Sequence, residues 1–383
     1  MLKPLSQVAE AMPRSGIREI MDLAWAHPNP IHLEVGEPNF DTPPHVIEAV
    51  IAAARAGETK YNPNAGYPWL REAVAARHQQ RTGVVTDADN VTITPGSIAS
   101  LASSMLALFE PGDEALVPDP AWPNYEMTLL SLHVVPVRFS LPAENQFEPD
   151  FEELGQLVTP RTKAMMLNSP SNPIGKVFSA ETIGRFMEFA RQHDLYVISD
   201  EIYEDIVFDE SFASVAPLDT DGRAIVVGGV SKSYAMTGFR VGWSIAAPQI
   251  AALIAKLQEP YTSCTCGISQ RAAEAALNGP QECMQEMRQA YHARRDVALD
   301  VLRAAGLYQY TPGGAFYLLI DIGSTGMDSY DFARQLLADQ SVAVAPGGTF
   351  GRQSQQQIRI SFASSPGNIR EGVERICKFI QQR

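Results

Sequence analysis

The chain has 383 residues, 45% hydrophobic and 19% charged, a make-up that supports roughly two to three packed domains and excludes a largely disordered protein. With 30 Lys and Arg against 44 Asp and Glu the net charge is −14 and no basic run interrupts it, so nucleic acid and anionic membranes are excluded as main partners, while small anions can still be held locally. The four cysteines form no Cys-x-x-Cys pair and no zinc pattern with the seven histidines, no apolar run reaches the length of a membrane span, and segment 1–20 lacks the apolar stretch of a signal peptide, so the expected setting is reducing and cytoplasmic, with no metal.

In chain order, Val46, Ile47, Val50, Ile51 and Ala54 recur at helical spacing and predict a helix over 46–55 that stops at Gly57. A short strand at 91–93 runs through Thr94-Pro95-Gly96-Ser97 into an apolar helix ending near Phe109. A strand at 115–117 follows the turn Pro111-Gly112-Asp113. Strands at 164–167 and 196–199 flank a helix at 180–193, and 224–230 is a further β-rich run. This alternation predicts an α/β fold, a three-layer sandwich with a mostly parallel central sheet and helices on both faces. The texture changes near residue 280. A long helix at 281–305 is followed by strands at 316–320, 342–345 and 358–361 and helices at 329–339 and 368–382. The expected organisation is a large domain over 45–285, a smaller α+β domain over 286–383, and an N-terminal segment over 1–44 packing with the smaller one.

Ligands of open α/β sheets sit at the carboxyl ends of the strands, so the residues just after each predicted strand are the candidates. Gly96 and Ser97 offer backbone N–H groups at the positive end of a helix, although an ordinary turn with a Ser cap describes them equally well. Asn168-Ser169-Pro170-Ser171-Asn172-Pro173 is a rigid polar loop that can aim the Asn172 amide into a cleft, or simply a Pro-rich turn. Asp200, in Ser199-Asp200-Glu201-Ile202-Tyr203, is a half-buried carboxylate in want of a cation, or a helix cap. Lys232, in Ser231-Lys232-Ser233-Tyr234, directly follows a buried strand; a lysine in a cleft can lose its proton and form a Schiff base, whereas most loop lysines are solvated. Arg359 lies inside a strand and suits a substrate carboxylate, an edge position or a structural ion pair.

The order of these signals is more specific than any one of them. From Leu33-Glu34-Val35-Gly36-Glu37-Pro38 to the Arg359 strand, nearly the whole chain resembles the fold-type I, class I/II aminotransferases that use pyridoxal 5'-phosphate, most specifically in the Asn-x-Pro and lysine segments. The resemblance implies an enzyme moving an amino group from an L-amino acid to a 2-oxo acid by a ping-pong mechanism. It implies that Lys232 holds the cofactor and moves the substrate proton, and that Asp200 pairs with the ring nitrogen. Asn172 and Tyr203 would reach the ring oxygen, Trp122 would stack on the ring, and Gly96, Ser97 and Arg240 would hold the phosphate. Tyr61, in Lys60-Tyr61-Asn62-Pro63, matches the tyrosine that reaches the phosphate of a neighbouring subunit, which implies a homodimer with shared active sites. Arg359 would clamp the substrate carboxylate, with Gly36 and Asn172 beside it.

Two positions depart from the family pattern. A Ser or Thr phosphate ligand often precedes the lysine by three residues; here Gly229 stands there, and Ser231 or Ser233 is the available replacement. Aspartate-selective members often carry Lys after the Gly-containing turn; here Ile98 stands there. An apolar side chain cannot pair a second carboxylate, so an uncharged aliphatic or aromatic donor is expected over aspartate, unless Arg14 or Arg18 compensates. Rival readings are a β-lyase, a cyclopropane-forming synthase or a broad or aspartate-preferring aminotransferase. A ligand sensor on the same scaffold would call for a DNA-binding segment, for which the chain has no spare region or basic patch.

Overall fold

The computed structural model of the chain describes residues 2–383. Its strands, in chain order, are β1 (Ile31–His32), β2 (Val91–Thr94), β3 (Glu114–Asp119), β4 (Val135–Ser140), β5 (Thr162–Asn168), β6 (Tyr196–Asp200), β7 (Ala224–Gly229), β8 (Gly242–Ile245), β9 (Tyr317–Asp321), β10 (Val342–Ala343), β11 (Ala345–Pro346) and β12 (Gln357–Ser361). Seven form one sheet in the order β2-β8-β7-β6-β5-β3-β4. The run from β7 to β4 is parallel throughout, and β8 is antiparallel to both its neighbours.

The central strands are apolar on both faces, and the alternation of side chains sends them into two separate cores. Leu116, Met165, Leu167, Val197 and Val226 enter one cluster, with Phe178 from a loop and Phe186 and Ala272 from the helices over that face. Ala115, Val117, Met166, Ile198 and Val227 enter the other, with Leu101, Met105 and Ile254. Each buried Val, Leu or Ile contributes about 1.5–3 kcal/mol on removal from water, so neither face of the sheet can stay bare, and three layers result. Ser179 Oγ caps the helix Ala180–Gln192 by accepting from Thr182 N at 3.0 Å, as an Ser N-cap is expected to do.

A third core joins Ile20 and Ala24 of the helix Gly16–Ala26, and Ile31 and Leu33, to Leu299, Phe316, Phe332, Ile360 and Ile376. Its strands form a three-stranded antiparallel sheet, β11-β12-β9, and the parallel pair β1-β10. The long helix Glu282–Ala304 leads the chain into this region.

The single strand expected at 342–345 is two. Val342–Ala343 pairs with β1, Ala345–Pro346 pairs with β12, and the chain changes sheets at Val344. All these residues are buried, so no alternation in the sequence marks the switch. β4, unforeseen, lies at the sheet edge, where Pro136 is tolerated because no further strand needs its missing N–H. Among the described residues no helix is long and apolar enough to cross a membrane.

Candidate active site

The carboxyl ends of β2, β3, β5, β6 and β7 open on one cleft of about 1010 Å³, closed on its far side by β12 and the N-terminal segment. Ser97, Trp122, Asn172, Asp200, Tyr203 and Lys232 line it from the large sheet, and Gly36 and Arg359 from the opposite side. The parallel register causes this convergence: Leu167 pairs with Ser199 and Asp200 with Val227, so the loops after β5, β6 and β7 leave the sheet at one level.

Asp200 is buried, at the end of β6. Its Oδ2 accepts from Tyr125 Oη at 2.7 Å and its Oδ1 from Ile202 N at 3.3 Å. Burial raises its pKa to about 6, opposed by those two hydrogen bonds and by Lys232. Asp200 is thus a local cap and also a carboxylate facing a cleft without a cation at ion-pair distance. Asn168 holds this corner together: its Nδ2 donates to the Asp200 carbonyl at 2.9 Å and its Oδ1 accepts from Asn172 N at 2.8 Å. The neighbouring Glu201 turns away into the core, accepting from Ser199 Oγ at 2.9 Å and Ser214 Oγ at 3.1 Å.

Lys232 is not a solvated loop lysine. Its Nζ donates to the Gly36 carbonyl at 2.8 Å, across the cleft. Its pKa is lowered to about 8, first by burial and then by the like charges of Arg240 and Arg359, with Glu37 opposing. A Cβ at Gly36 would strike the Tyr317 hydroxyl, so glycine there makes room for Tyr317 in the cleft wall.

Arg359 occupies β12, the middle strand of its sheet, which rules out an edge charge. It is fully buried without a carboxylate at ion-pair distance among the described residues. Nη1 donates to Asn172 Oδ1 at 3.0 Å, Nη2 donates to the Glu34 carbonyl, and Nε has no partner. Its guanidinium carbon stands 4.4 Å from the centre of the Tyr317 ring and 4.9 Å from that of Phe350. Burial lowers its pKa. Such a group is costly unless a carboxylate arrives.

At the other end, Gly96 has φ +80° and precedes the helix Ser97–Leu108; any side chain at Gly96 would collide with the Arg240 guanidinium. Arg240 donates to the Thr237 carbonyl at 2.9 Å and has no acidic partner among the described residues. Backbone N–H groups, a helix N-terminus and a free guanidinium make an anion cradle. A side chain at Gly229 would stand 2.7 Å from Ser97 Oγ, which is itself bonded to the Gly228 carbonyl at 2.8 Å, so Ser97 takes the room a Ser or Thr at 229 would need. Of the two replacements, Ser231 lines the cleft and Ser233 turns to Asp205.

Tyr61 is 90% exposed and does not line this cleft. Trp122 lines it, packed edge-on against Tyr125 at 5.6 Å. Ile98 lines the cleft with Ile17, Met21 and Trp25; Arg18 does too, whereas Arg14 lies outside it, 3.8 Å from Asp22. Sequence reasoning passed over Tyr125 and Tyr317. Tyr125 sits three residues beyond Trp122 on a helix that enters the cleft wall, a spacing that could have signalled it; Tyr317 starts an apolar strand and had no such signal.

Among the described residues the cleft therefore presents a carboxylate with no cation at ion-pair distance, an anion cradle, a lysine tending to neutrality, and a buried guanidinium with no carboxylate at ion-pair distance. These demands are met together by a molecule with a protonated ring nitrogen at one end, a phosphate at the other and an aldehyde between, and by a second molecule bearing a carboxylate. A family model described as aminotransferase class I and II matches residues 28–376. The aspartate aminotransferase of Pyrococcus abyssi is 35% identical over 96% of either chain, and the aromatic-amino-acid aminotransferase 2 of Thermococcus litoralis is 33% identical over 99% of either. The solved structure of Thermus thermophilus aspartate aminotransferase with maleate superposes with a TM-score of 0.93 at 34% identity, covering 99% of this chain and 100% of that one. Proteins of this family use pyridoxal phosphate, and the residues around the cleft fit it. On the match along its length and the fit of its cleft, the chain belongs to the class I and II aminotransferases.

Proposed function

We propose that the chain moves the amino group of an L-amino acid to a 2-oxo acid with Lys232, Asp200, Asn172, Tyr203 and Arg359 at its centre. The observation that carries this reading is the set of uncompensated charges at fixed positions around one cleft: Asp200, the Gly96–Arg240 cradle, Lys232 and Arg359. Bound there, pyridoxal phosphate supplies an electron sink for the pair left behind when the substrate Cα–H bond breaks.

Asp200 keeps a proton on the ring nitrogen, since a buried carboxylate gains most from a cation placed against it. Gly96, Ser97 and Arg240 would anchor the phosphate, and the Trp122 ring would stack on the cofactor ring. The Arg359 guanidinium would grip the substrate carboxylate, with Asn172 and Gly36 setting its place, on the same cleft that Lys232 Nζ enters. Lys232 Nζ, lowered to about 8, takes the Cα proton as general base. Tyr203 Oη would donate to the ring oxygen.

The exposure of Tyr61, away from its own cleft, supports a homodimer in which it completes the partner's site. Two cores of the large sheet and a third drawn mainly from the N-terminal segment and residues beyond 286, with Ile202, Tyr203 and Ile206 at its seam, support the division at 45–285 and 286–383. Free cysteines support a cytoplasmic setting.

For the donor, the apolar wall of Ile17, Met21, Trp25 and Ile98 supports an uncharged aliphatic or aromatic side chain over aspartate. A second reading rests on Arg18, whose guanidinium on that wall reaches, among the described residues, Met21 Sδ alone, at 3.8 Å, and is open to a second carboxylate. The visible spectrum of the loaded protein tests both. The band of the lysine-bound cofactor should bleach with an aliphatic or aromatic amino acid and return with a 2-oxo acid, and Lys232→Ala should show neither band nor turnover. Release of ammonia and pyruvate, without a recoverable band, would establish a lyase instead. Aspartate as the fastest donor, lost in Arg18→Gln, would establish the second reading.

A further inference from the structure

Tyr317 is the first residue of β9 and is buried in the wall of the cleft. It touches three parts of the site at once. Its ring lies beneath the Arg359 guanidinium, its hydroxyl stands 2.9 Å from that of Tyr203, and the same hydroxyl lies against Gly36, whose carbonyl receives Lys232 Nζ. The two tyrosine rings meet edge to face at 5.7 Å, which fixes their hydroxyls in register.

Two phenols at hydrogen-bond distance share one of their two protons, and the direction of that bond decides where the other points. On the far side of the Tyr317 hydroxyl there is no room even for a methyl on Gly36, and Tyr203 Oη is its hydrogen-bond partner among the described residues. The Arg359 guanidinium carbon stands 4.4 Å from the centre of the Tyr317 ring, and a cation against a phenol favours release of its proton, while Tyr203 is held up by burial with the Asp200 carboxylate beside it, so Tyr317 is the better donor. We propose that Tyr317 is a positioning residue that donates its hydroxyl proton to Tyr203, leaving the Tyr203 proton free to point into the cleft at the cofactor's ring oxygen. A hydroxyl that accepts one hydrogen bond donates the next more strongly, so the pair acts as a relay with a fixed direction. This rests on the role given to Tyr203 above.

The test is the pH midpoint of the visible band of the holoenzyme, which falls as Tyr203 donates more strongly, because a proton donated to the ring oxygen favours the unprotonated form of the Lys232 linkage. Tyr317→Phe keeps the ring under Arg359 and removes only the hydroxyl; it should raise the midpoint by about half a pH unit while leaving KM for the amino acid within about twofold. Tyr203→Phe should raise it further, and adding Tyr317→Phe to Tyr203→Phe should change nothing more. A midpoint moved by Tyr203→Phe but not by Tyr317→Phe overturns the inference and leaves the reading of Tyr203 standing. An equal shift from Tyr317→Phe in both backgrounds also overturns it, since Tyr317 then acts without Tyr203. If Tyr203→Phe leaves the midpoint in place, the role of Tyr203 fails and the inference fails with it. Unchanged melting of the cofactor-free Tyr317→Phe protein verifies the fold in each case.

Discussion

Asp200→Asn should make the cofactor-free protein more stable at alkaline pH and a poorer enzyme. In the fold the Asp200 carboxyl is held at about 6, against roughly 3.9 in an unfolded chain. Between those values the native state keeps a proton that the unfolded state has lost, so stability falls as pH rises, by ~1.4 kcal/mol per pH unit and ~3 kcal/mol in all. Asparagine mimics the protonated acid: its Oδ1 can accept from Ile202 N and its Nδ2 can donate to Tyr125 Oη, but it cannot ionise. The advantage of the variant over the parent should widen by ~1.5 kcal/mol between pH 5 and pH 8, since part of the loss has already occurred at pH 5. Denaturant unfolding of both cofactor-free proteins at the two pH values measures this directly. Cofactor affinity should move the other way, weakening by about 10- to 100-fold with the loss of a charge-assisted hydrogen bond to the ring nitrogen. A gap that is the same at both pH values would refute the reasoning, because Asp200 would then carry no burial penalty for a cation to relieve.

Arg359→Ala removes a forked, charge-assisted grip and should lower kcat/KM about 100-fold, chiefly through KM; an effect confined to kcat would place the substrate carboxylate elsewhere. Gly96→Ala forces a side chain into a positive-φ position and against Arg240, so cofactor affinity should fall sharply while the far-ultraviolet spectrum is retained; equilibrium dialysis against pyridoxal phosphate reads this. The rate at which cofactor-free protein captures pyridoxal phosphate should rise about tenfold per pH unit up to pH 8 and level off above it, because only the neutral Lys232 amine attacks; a profile that keeps rising to pH 10 would mean that burial does not lower this lysine.

Where the sequence reads clearly, physics at short range suffices. The parallel core strands stand out because they are apolar on both faces, β5 and β6 are separated by the amphipathic helix Ala180–Gln192, and the long helix at 282–304 keeps helical spacing through its full length. What the sequence hides is decided by partners far along the chain. β1 is two residues long and exists because Ile31 and His32 pair with Val342 and Ala343, some three hundred residues on. β8 is the one strand that reverses direction in the sheet, and nothing local in Gly242–Ile245 signals that.

The same division runs through the site. Asp200, Asn172 and Lys232 are visible because each follows a recognisable strand and carries a group that a strand end exposes. Tyr125 and Tyr317 are hidden because their aromatic bodies fill apolar positions, and only the tertiary contacts Tyr125–Asp200 and Tyr317–Tyr203 give their hydroxyls a task. Gly229 shows a third case, in which the residue is read but its meaning is not. As a missing phosphate ligand it looks like a loss; beside it the Ser97 hydroxyl fills the space and bonds the Gly228 carbonyl, while Gly242, where a Cβ would strike the Ser97 backbone, is what allows the helix Ser97–Leu108 to bring its N-terminus down onto the sheet. A Cβ at 229 would stand 2.7 Å from Ser97 Oγ, so the Ser97 hydroxyl would have to leave the Gly228 carbonyl to admit it; as the chain stands, the anion cradle consists of Gly96, Ser97 and Arg240, with Ser231 rather than residue 229 as the hydroxyl of the lysine loop that lines the cleft.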